Sequence, residues 1–508
     1  MSIHLAVYIS NFMKKLIPLF LAACLPSFGA NSDQADAGSP APRVTVDLHD
    51  VRIPSFLGLG IQWDPYSYQP RPEAWKYTLQ RLDYAQPGFF RVMTGARSYC
   101  LGFDNSKADA PQYVWTQGEP AIRKQLGSLL DILDYAQARN IDVLLGEWSP
   151  PGRLGNGTNN VVVRPDDPRW ARMIADFVIW LRIERHYSVV RMYNMMNEPN
   201  GDWMWPGGKV DYAAWASGIR NLRKELDGHG LQPLPIVGPD NSWGWYWVDR
   251  VSHEMPECIG EWEMHWYAKD KDIFSGEIEK VLSEKRKVIL ANDPQARSKR
   301  LFLAESGLLD GKGNGDQQQR VKTFPYGVLM ADYVAQVARA GWMGACAWDL
   351  DDAMHTSSGH PAVPNENTLK VWGFWNSQGT AMGHPEDENI RPWFYTWSLM
   401  SRLFPRGSCI VGVSQPGLPR LRVIAGTDQD GRGLRVMLVN SGDEARAVTL
   451  SVPGAGRKTL VKYHYFDTDR PNDAAGFPVP KETISNADLE RGVTVTMPSS
   501  GVVFLSTP

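Results

Sequence analysis

The chain has 508 residues, of which 43% are hydrophobic and 21% charged, as in a globular protein with a substantial core. A formal net charge of −3 provides neither a basic surface for nucleic acid nor a polybasic segment for anionic membranes. The 20 tryptophans are an unusual number. They favour a carbohydrate site, because sugar rings stack their C–H faces on indoles.

The N-terminus has the pattern of an export signal. Residues 13–24 read MKKLIPLFLAAC, with two lysines, a short apolar run and small residues before Cys24. This pattern predicts a signal peptide over residues 1–30, too short to span a bilayer. The LAAC ending is typical of a bacterial lipobox, in which Cys24 is acylated; ordinary cleavage after Gly29 or Ala30 is the alternative. We therefore expect an exported protein, periplasmic or secreted, whose one membrane contact is a lipid on Cys24.

Residues 31–42 are rich in Asp, Ser, Ala, Gly and Pro, which predicts a flexible linker. From residue 43 to 397, short apolar runs alternate with stretches of helical periodicity, which predicts an α/β domain with a parallel sheet. Eight strands are the number that a (β/α)₈ TIM barrel needs. The predicted strands are Leu57–Gln62, Gly88–Met93, Asp142–Glu147, Val190–Met196, Pro235–Gly238, Ile259–His265, Leu301–Glu305 and Gly344–Asp349. The predicted helices include Ala121–Arg139, Trp170–Arg185, Tyr212–Leu226 and Gly327–Ala340.

After residue 398 the pattern changes to short alternating or β-branched segments separated by turns, which predicts a C-terminal antiparallel β-sandwich over residues 398–508. We expect the early strand 43–48 to join it, because that strand precedes the barrel and has no other partner. Few aromatic residues lie on these strands, so packing against the barrel is favoured over separate carbohydrate binding. The predicted strands are Arg420–Ile424, Leu434–Asn440, Arg446–Val452, Thr459–Phe466, Val493–Met497 and Val502–Leu505.

The cysteines show no metal-binding spacing. No C-x-x-C pair and no Cys/His cluster is present, so we expect no structural metal, and nothing in the sequence indicates a cofactor. Beyond Cys24, two outcomes are open: all four remaining thiols are free, or one pair forms a disulfide. These cysteines are Cys100, Cys258, Cys346 and Cys409.

Active sites of barrels of this type lie at the carboxyl ends of the strands. The residues at those ends are carboxylates, amide and hydroxyl donors and indoles, without the lysines or glycine-rich loops that phosphate requires. This composition indicates a carbohydrate partner. In chain order the residues are Trp63, Asp64, Arg91, Glu147, Trp148, Asn197, Glu198, Asp240, Asn241, His265, Tyr267, Glu305, Trp348 and Asp349.

Two glutamates are the candidate catalytic residues. Glu198 lies in the sequence MNEPN directly after an apolar strand, where desolvation raises the pKa of a carboxyl group as a general acid requires. Glu305 lies in RLFLAESG on predicted strand seven. Strands four and seven face each other across the barrel mouth. Both carboxylates can therefore flank one glycosidic bond, one protonating the leaving oxygen and the other attacking the anomeric carbon.

Several motifs together resemble the clan A retaining glycoside hydrolases. These are N-E-P on strand four, E-S on strand seven, His-x-Tyr on strand six and a tryptophan on strand eight. Arg91 on strand two and the late RPWFYTWSLM segment before a sandwich are most similar to family 39, with families 5 and 30 as neighbours. The resemblance covers residues 43–508.

By position, the resemblance implies that Glu198 is the acid/base and Glu305 the nucleophile. It further implies that Asn197 contacts the sugar 2-hydroxyl, that Arg91 supports Glu305 and that Trp348 forms the platform under the sugar. His265 and Tyr267 would orient the substrate and the nucleophile. The full set of predicted substrate-binding residues is Asn197, Arg91, His265, Tyr267, Trp348, Trp148, Trp63 and Asp349.

The acidic segment after strand eight has two interpretations. Asp349, Asp351, Asp352 and His355 form either a polar subsite or cation site, or, in the favoured interpretation, a solvated acidic loop.

The sequence thus predicts a retaining glycoside hydrolase that cleaves an oligo- or polysaccharide by double displacement. A transglycosylase with the same covalent intermediate is one alternative. A non-catalytic glycan-binding surface protein is another, although the presence of both carboxylates argues against it. The sugar, its linkage and the choice between exo and endo action depend on loop shape and stay open.

Overall fold

The structure is a computed structural model that describes residues 41–508, except for 67–69, 105, 108–109, 117–123, 156–159, 310–314 and 356–368. The predicted signal peptide, Cys24 and all but the end of the predicted linker lie outside the described residues. No helix within the described part of the chain is long and apolar enough to cross a membrane.

Eight parallel strands close into a barrel, each neighbouring the next in chain order. Each corresponds to one predicted strand, so the predicted (β/α)₈ fold is confirmed. Strands one to eight span Gly58–Gln62, Phe89–Thr94, Asp142–Glu147, Val190–Asn194, Ile236–Asn241, Glu261–Ala268, Leu301–Leu308 and Gly344–Ala347.

Apolar side chains fill the lower part of the barrel, leaving the polar ones at its mouth. Phe89, Leu144, Met192 and Phe302 meet there from four different strands. Strand one admits Phe89 because it carries Gly60, where a Cβ atom would lie 2.4 Å from the Phe89 ring. The barrel is therefore a packed core rather than a channel.

Helices surround the barrel, and two of them begin at aspartate caps. Asp167 accepts a hydrogen bond from the backbone of Arg169, and Asp211 from that of Ala214. The predicted helix Trp170–Arg185 changes to a π-helical turn after Ile179. The α-helices span Pro72–Ala85, Lys124–Arg139, Pro168–Ile179, Tyr212–Gly228, Tyr246–Glu254, Asp270–Ser275, Glu277–Asn292, Phe324–Arg339 and Pro392–Leu403.

Two small hairpins extend the loops after strands two and three. The first pairs Cys100–Asp104 with Ala110–Tyr113, and the second pairs Gly152–Arg153 with Val161–Val162. Neither was predicted from the sequence, since their segments are too short to show alternation.

The remaining strands form a mostly antiparallel nine-stranded sheet that fits the predicted sandwich. The early strand Arg43–Ile53 lies within it, antiparallel to Cys409–Ser414 and parallel to Arg446–Ser451. Glu482–Asp488 was not predicted because it is a largely exposed, polar edge strand. The other strands are Leu421–Thr427, Arg435–Asn440, Arg457–Tyr465, Val493–Met497 and Gly501–Ser506.

The four cysteines after the N-terminal region are buried, and none of them is in a disulfide. Of the two outcomes that the sequence left open, the structure has the one without a bridge.

A buried ion pair joins the sandwich to the barrel. Asp332, on the helix Phe324–Arg339, has no exposed surface. It accepts hydrogen bonds from the Arg422 guanidinium at 2.7 Å and the Ser441 hydroxyl at 2.5 Å, both from the sandwich. Arg422 also donates to the carbonyl of Ile273 at 3.0 Å. Because both charges are out of water, each depends on the other.

We expect Arg422→Ala to lower the free energy of unfolding by about 3–5 kcal/mol, since it leaves the Asp332 carboxylate buried without its counter-ion. Chemical denaturation followed by circular dichroism measures this. The matched control is Arg432→Ala, which breaks an exposed pair with Asp430 and should leave the free energy of unfolding nearly unchanged. Equal effects of the two substitutions would contradict a structural role for the buried pair.

Candidate active site

Two glutamates from opposite sides of the barrel meet at its mouth. Glu198 follows strand four, and Glu305 lies on strand seven. Three atoms lie within 4.8 Å of one another: a carboxylate oxygen of Glu198, a carboxylate oxygen of Glu305 and a ring nitrogen of His265. The side chains are 14% and 5% exposed, respectively. Both carboxylates therefore face one small, mostly dry space.

Glu198 has a backbone conformation that few residues with a side chain adopt. Its φ is +40°, in the left-handed region. Its backbone N–H donates to Asp240 Oδ1 at 2.8 Å, so strand five holds the turn that follows strand four. This strained turn places the carboxyl group of Glu198 at the mouth instead of along the strand.

Glu305 reaches the mouth through an irregularity in its strand. Met264 of strand six pairs with Leu303, but the next residue, His265, pairs with Glu305. The skipped residue, Ala304, packs inside the barrel. This bulge allows Ala304 to point into the core while Glu305 still faces the cavity.

Two donors fix the Glu305 carboxylate. Tyr267 donates its hydroxyl hydrogen to Oε2 at 2.5 Å, and Arg91 donates to Oε1. Burial raises the pKa of Glu305 above its ordinary value, and the neighbouring Glu198 adds to this; His265, Arg91 and the Tyr267 hydrogen bond oppose it. The carboxylate is thus held in one orientation, with its charge compensated on both oxygens.

Arg91 connects the strands beneath the glutamates. Its side chain has no exposed surface. Besides Glu305, it donates to Gln62 Oε1 at 2.7 Å, Asn197 Oδ1 at 2.8 Å and Asp240 Oδ2 at 3.2 Å. Burial opposes its charge, but Glu305 and Asp240 raise its pKa above the ordinary value. It is therefore a permanent positive charge at the base of the site.

His265 lies between Glu198 and Asp240. Its Nδ1 is 3.0 Å from Glu198 Oε1, and its Nε2 is 3.2 Å from Asp240 Oδ1. Burial lowers the pKa of His265, but Asp240 and Glu305 outweigh it and raise the pKa well above the ordinary value. Burial raises the pKa of Asp240, but the positive charges of His265 and Arg91 outweigh burial and lower this pKa to about 2. The protonated ring that this shift favours hydrogen-bonds to Glu198 through Nδ1 and forms an ion pair with Asp240 through Nε2.

A cavity of about 430 Å³ opens above these groups, and indoles form much of its wall. The Trp148 and Trp348 rings meet edge to face at 6.1 Å, and Trp348 stacks on His355 at 5.1 Å. The lining residues are Trp148, Asn197, Glu198, Trp203, Met204, Trp243, Tyr267, Glu305, Leu309, Gly315, Asp316, Trp348, Lys370 and Trp372.

Most of the predicted site residues are gathered here. Asn197, Tyr267, Trp148 and Trp348 line the cavity, whereas Arg91 and His265 lie beneath its floor.

The prediction that Trp63 binds substrate is wrong. Its side chain is fully buried and packs against Trp75, Phe90 and Tyr135, on the outer side of the barrel. The reason is strand alternation: Gln62 points inward to Arg91, so the next residue points outward.

Asp349 was likewise wrongly predicted to contact substrate. It follows the inward-facing Trp348, is fully buried, and its carboxyl oxygens have no hydrogen-bond partner. Burial, with Asp352 and Asp351 nearby, raises its pKa well above the ordinary value. This environment favours the protonated, uncharged form of the group.

The other aspartates of this segment organise the loop itself. Asp352 accepts from the backbones of Trp372 and Gly373 at 3.0 and 2.7 Å and from Arg391. Asp351 accepts from the Tyr66 hydroxyl at 3.0 Å. His355 contacts Asp64 at 2.8 Å. The favoured interpretation, a solvated acidic loop, is wrong, because the three aspartates are buried. Asp351 and Asp352 accept hydrogen bonds from protein donors, whereas Asp349 has none.

Some residues of the site were not singled out from the sequence. Gln62 was treated only as the end of a strand, and Trp243 and Trp372 only as part of the tryptophan total. A signal was present for both indoles, since each lies in a tryptophan-rich segment, WGWYW at 243–247 and WGFW at 372–375.

No family model and no curated protein matches the chain. Solved structures do. A GH30 endoxylanase from Clostridium papyrosolvens C71 is 13% identical with a TM-score of 0.61, over 92% of this chain and 99% of that one. A GH39 enzyme from Xanthomonas axonopodis pv. citri is 15% identical with a TM-score of 0.59, over 94% and 100%. A GH39 β-xylosidase from Caulobacter crescentus is 16% identical with a TM-score of 0.58, over 92% and 100%.

At these identities the likeness concerns the fold. The chain has the barrel-and-sandwich fold of clan A glycoside hydrolases, and its solved neighbours include families 30 and 39. The resemblance inferred from the sequence is confirmed at this level.

Replacing Tyr267 with phenylalanine removes the hydroxyl that donates to Glu305. We expect the pKa of Glu305 to rise further, because that hydrogen bond favours the ionised carboxylate. NMR titration of isotope-labelled glutamate side chains measures this, with Glu305→Gln identifying the signal. Tyr246→Phe, at an exposed tyrosine outside the cavity, is the control. A Glu305 pKa that stays unchanged or falls would contradict the assigned hydrogen bond.

Proposed function

We propose that the protein is a retaining glycoside hydrolase in which Glu198 is the acid/base and Glu305 the nucleophile. The observation that carries this proposal is the approach of their carboxylate oxygens to within 4.8 Å. Retaining enzymes hold their two carboxyl groups about 5–5.5 Å apart, and inverting enzymes about 6.5–9.5 Å apart to admit a water molecule. The shorter spacing favours direct attack by a carboxylate.

The surroundings of the two glutamates support this division of roles. Glu305 is the more buried, and Tyr267 and Arg91 hold it in one orientation, as an attacking carboxylate requires. Glu198 accepts a hydrogen bond from His265 and lies closer to solvent, from which water enters. Glu198 would protonate the leaving oxygen while Glu305 bonds to the anomeric carbon. Glu198 would then deprotonate a water molecule that releases the sugar.

The cavity walls fit a sugar substrate. The Asn197 carbonyl oxygen is bonded to Arg91, so its amide hydrogens are left to donate to a sugar hydroxyl. Trp348 and Trp148 add flat indole surfaces to the cavity wall. We propose these three as substrate contacts, with Arg91 and His265 acting indirectly as positioning residues.

The sugar is best sought with a panel of aryl glycosides. The GH30 neighbour is an endoxylanase and one GH39 neighbour a β-xylosidase, so β-xylosides are the first members to assay. Absence of hydrolysis across the panel, and across neutral polysaccharides, would contradict the proposed function. Binding of the same glycans without hydrolysis would favour the glycan-binding alternative.

Export by the N-terminal signal, with lipid attached at Cys24, remains a prediction from the sequence. It is compatible with a substrate outside the cell, since polysaccharides do not cross membranes.

The stereochemistry of the first product tests the mechanism. We expect net retention of anomeric configuration, because two successive displacements at the same carbon restore the original face. Proton NMR of the reaction, recorded before mutarotation, identifies the anomer. An inverted first product would refute both the two-step scheme and the role of Glu305.

Substitution of each glutamate separates their roles. We expect Glu305→Ala to abolish turnover of every glycoside. Glu198→Ala should lose least kcat/KM on substrates whose leaving group needs no proton, because only the second step then lacks its catalyst. Added azide should partly rescue kcat by attacking the intermediate from the vacated space. Steady-state kinetics with activated and unactivated aryl glycosides measure both. Azide rescue of Glu305→Ala with retained configuration would reverse the assignment.

A further inference from the structure

Two tryptophans beside Glu198 are unusually exposed. Trp203 is 54% and Trp243 59% exposed, although indoles of this protein are mostly buried. Both line the cavity that contains the two glutamates. Exposed apolar surface at a cavity rimmed by polar groups is typical of a binding site.

The loop that carries Trp243 is held on both sides. Asn200, two residues after Glu198, accepts from the backbone N–H of Ser242 at 2.9 Å and donates to the carbonyl of Trp243 at 3.2 Å. At the other end, Trp245 donates its indole N–H to the carbonyl of His265 at 3.0 Å. The position of Trp243 is therefore fixed relative to Glu198.

Trp203 is held by packing on a glycine. A Cβ atom at Gly201 would lie 2.3 Å from the Trp203 ring, so the indole occupies the space that any other residue would need. Gly201 in turn donates its N–H to the carbonyl of Glu198 at 2.8 Å. The acid/base turn thus positions both exposed indoles.

Trp243 also lines a second cavity, of about 250 Å³, which shares Glu198 and Tyr267 with the first. Glu198 belongs to its wall but Glu305 does not. The charged groups of its wall balance, with Lys269, Lys271 and His265 against Asp272, Glu277 and Glu198. This space suits a ligand without net charge that extends away from the nucleophile.

We infer that Trp203 and Trp243 form a subsite for the leaving-group side of a neutral sugar chain. This rests on the proposed function, because the proton from Glu198 goes to the leaving oxygen and so marks that side of the bond. The substrate would be an oligo- or polysaccharide with at least one sugar bound beyond the cleaved bond. The same subsite would hold an acceptor sugar, which could replace water in the second step.

The experiment compares two substrates of the sugar selected by the aryl glycoside panel. One is the glycosyl fluoride, whose leaving group is too small to reach either indole. The other is the linear tetrasaccharide. We expect Trp243→Ala to lower kcat/KM for the tetrasaccharide by about tenfold or more, the equivalent of one lost stacking contact. Its effect on the fluoride should be several times smaller.

Two further variants serve as controls. Trp243→Phe keeps a stacking ring and should recover most of the tetrasaccharide activity. Tyr246→Ala removes an aromatic side chain that is 54% exposed and lies three residues further on, outside both cavities, and should leave both substrates unaffected. Trp243→Ala should also lower the fraction of transfer product formed when a disaccharide acceptor is added.

The outcomes separate the two proposals. If the protein hydrolyses the fluoride, but Trp243→Ala and Trp203→Ala each lower activity on both substrates equally, the subsite is contradicted. The proposed function then stays intact. A protein inactive on the fluoride and on every aryl glycoside contradicts the proposed function, and the subsite with it. Preferential loss on the tetrasaccharide, restored by phenylalanine, supports the subsite.

Discussion

One buried guanidinium determines the geometry of the barrel mouth. Arg91 of strand two contacts Gln62 of strand one, Asn197 after strand four, Asp240 of strand five and Glu305 of strand seven. A fully buried positive charge is tolerable only because these oxygens surround it. Arg91 therefore fixes the strands relative to one another, and both glutamates take their positions from contacts that lead back to it.

The charges beneath the cavity are balanced through His265. With Arg91 and the imidazolium both positive, Asp240 and Glu305 can be ionised although they are buried. Glu263, below His265, has no hydrogen-bond partner for either oxygen, and burial together with Asp240 raises its pKa well above the ordinary value. The protonated form that this shift favours adds no negative charge, so the positive charges of Arg91 and His265 serve Glu305 and Asp240. Attack on an anomeric carbon needs such an ionised, oriented carboxylate.

Sequence periodicity predicted the strands well because barrel strands are continuous apolar runs, and it located the mouth because polar residues follow them. It failed where a shift of one residue along the chain decides whether a side chain points into the mouth or away from it. Trp63 and Asp349 lie one residue beyond an inward-facing side chain, and strand alternation turns them away. Glu305 faces the mouth only through a bulge after Leu303. The resemblance implied that Arg91 supports Glu305, but the bonds of Arg91 to Gln62, Asn197 and Asp240 could not be predicted, since they join strands that are far apart in the chain.

The MNEPN motif has a second consequence that its glutamate alone does not explain. The strained turn at Glu198 is held by Asp240, and the same turn places Asn200 against the loop of Trp243 and Gly201 under Trp203. Any displacement of Glu198 would therefore move both indoles with it. The turn that carries Glu198 would then determine both the delivery of the proton and the contact with the leaving group. The oxygen to be protonated and the sugar attached to it would be positioned together. Such coupling is what transition-state binding requires, because contacts remote from the reacting atoms contribute to rate only when they fix the geometry at those atoms.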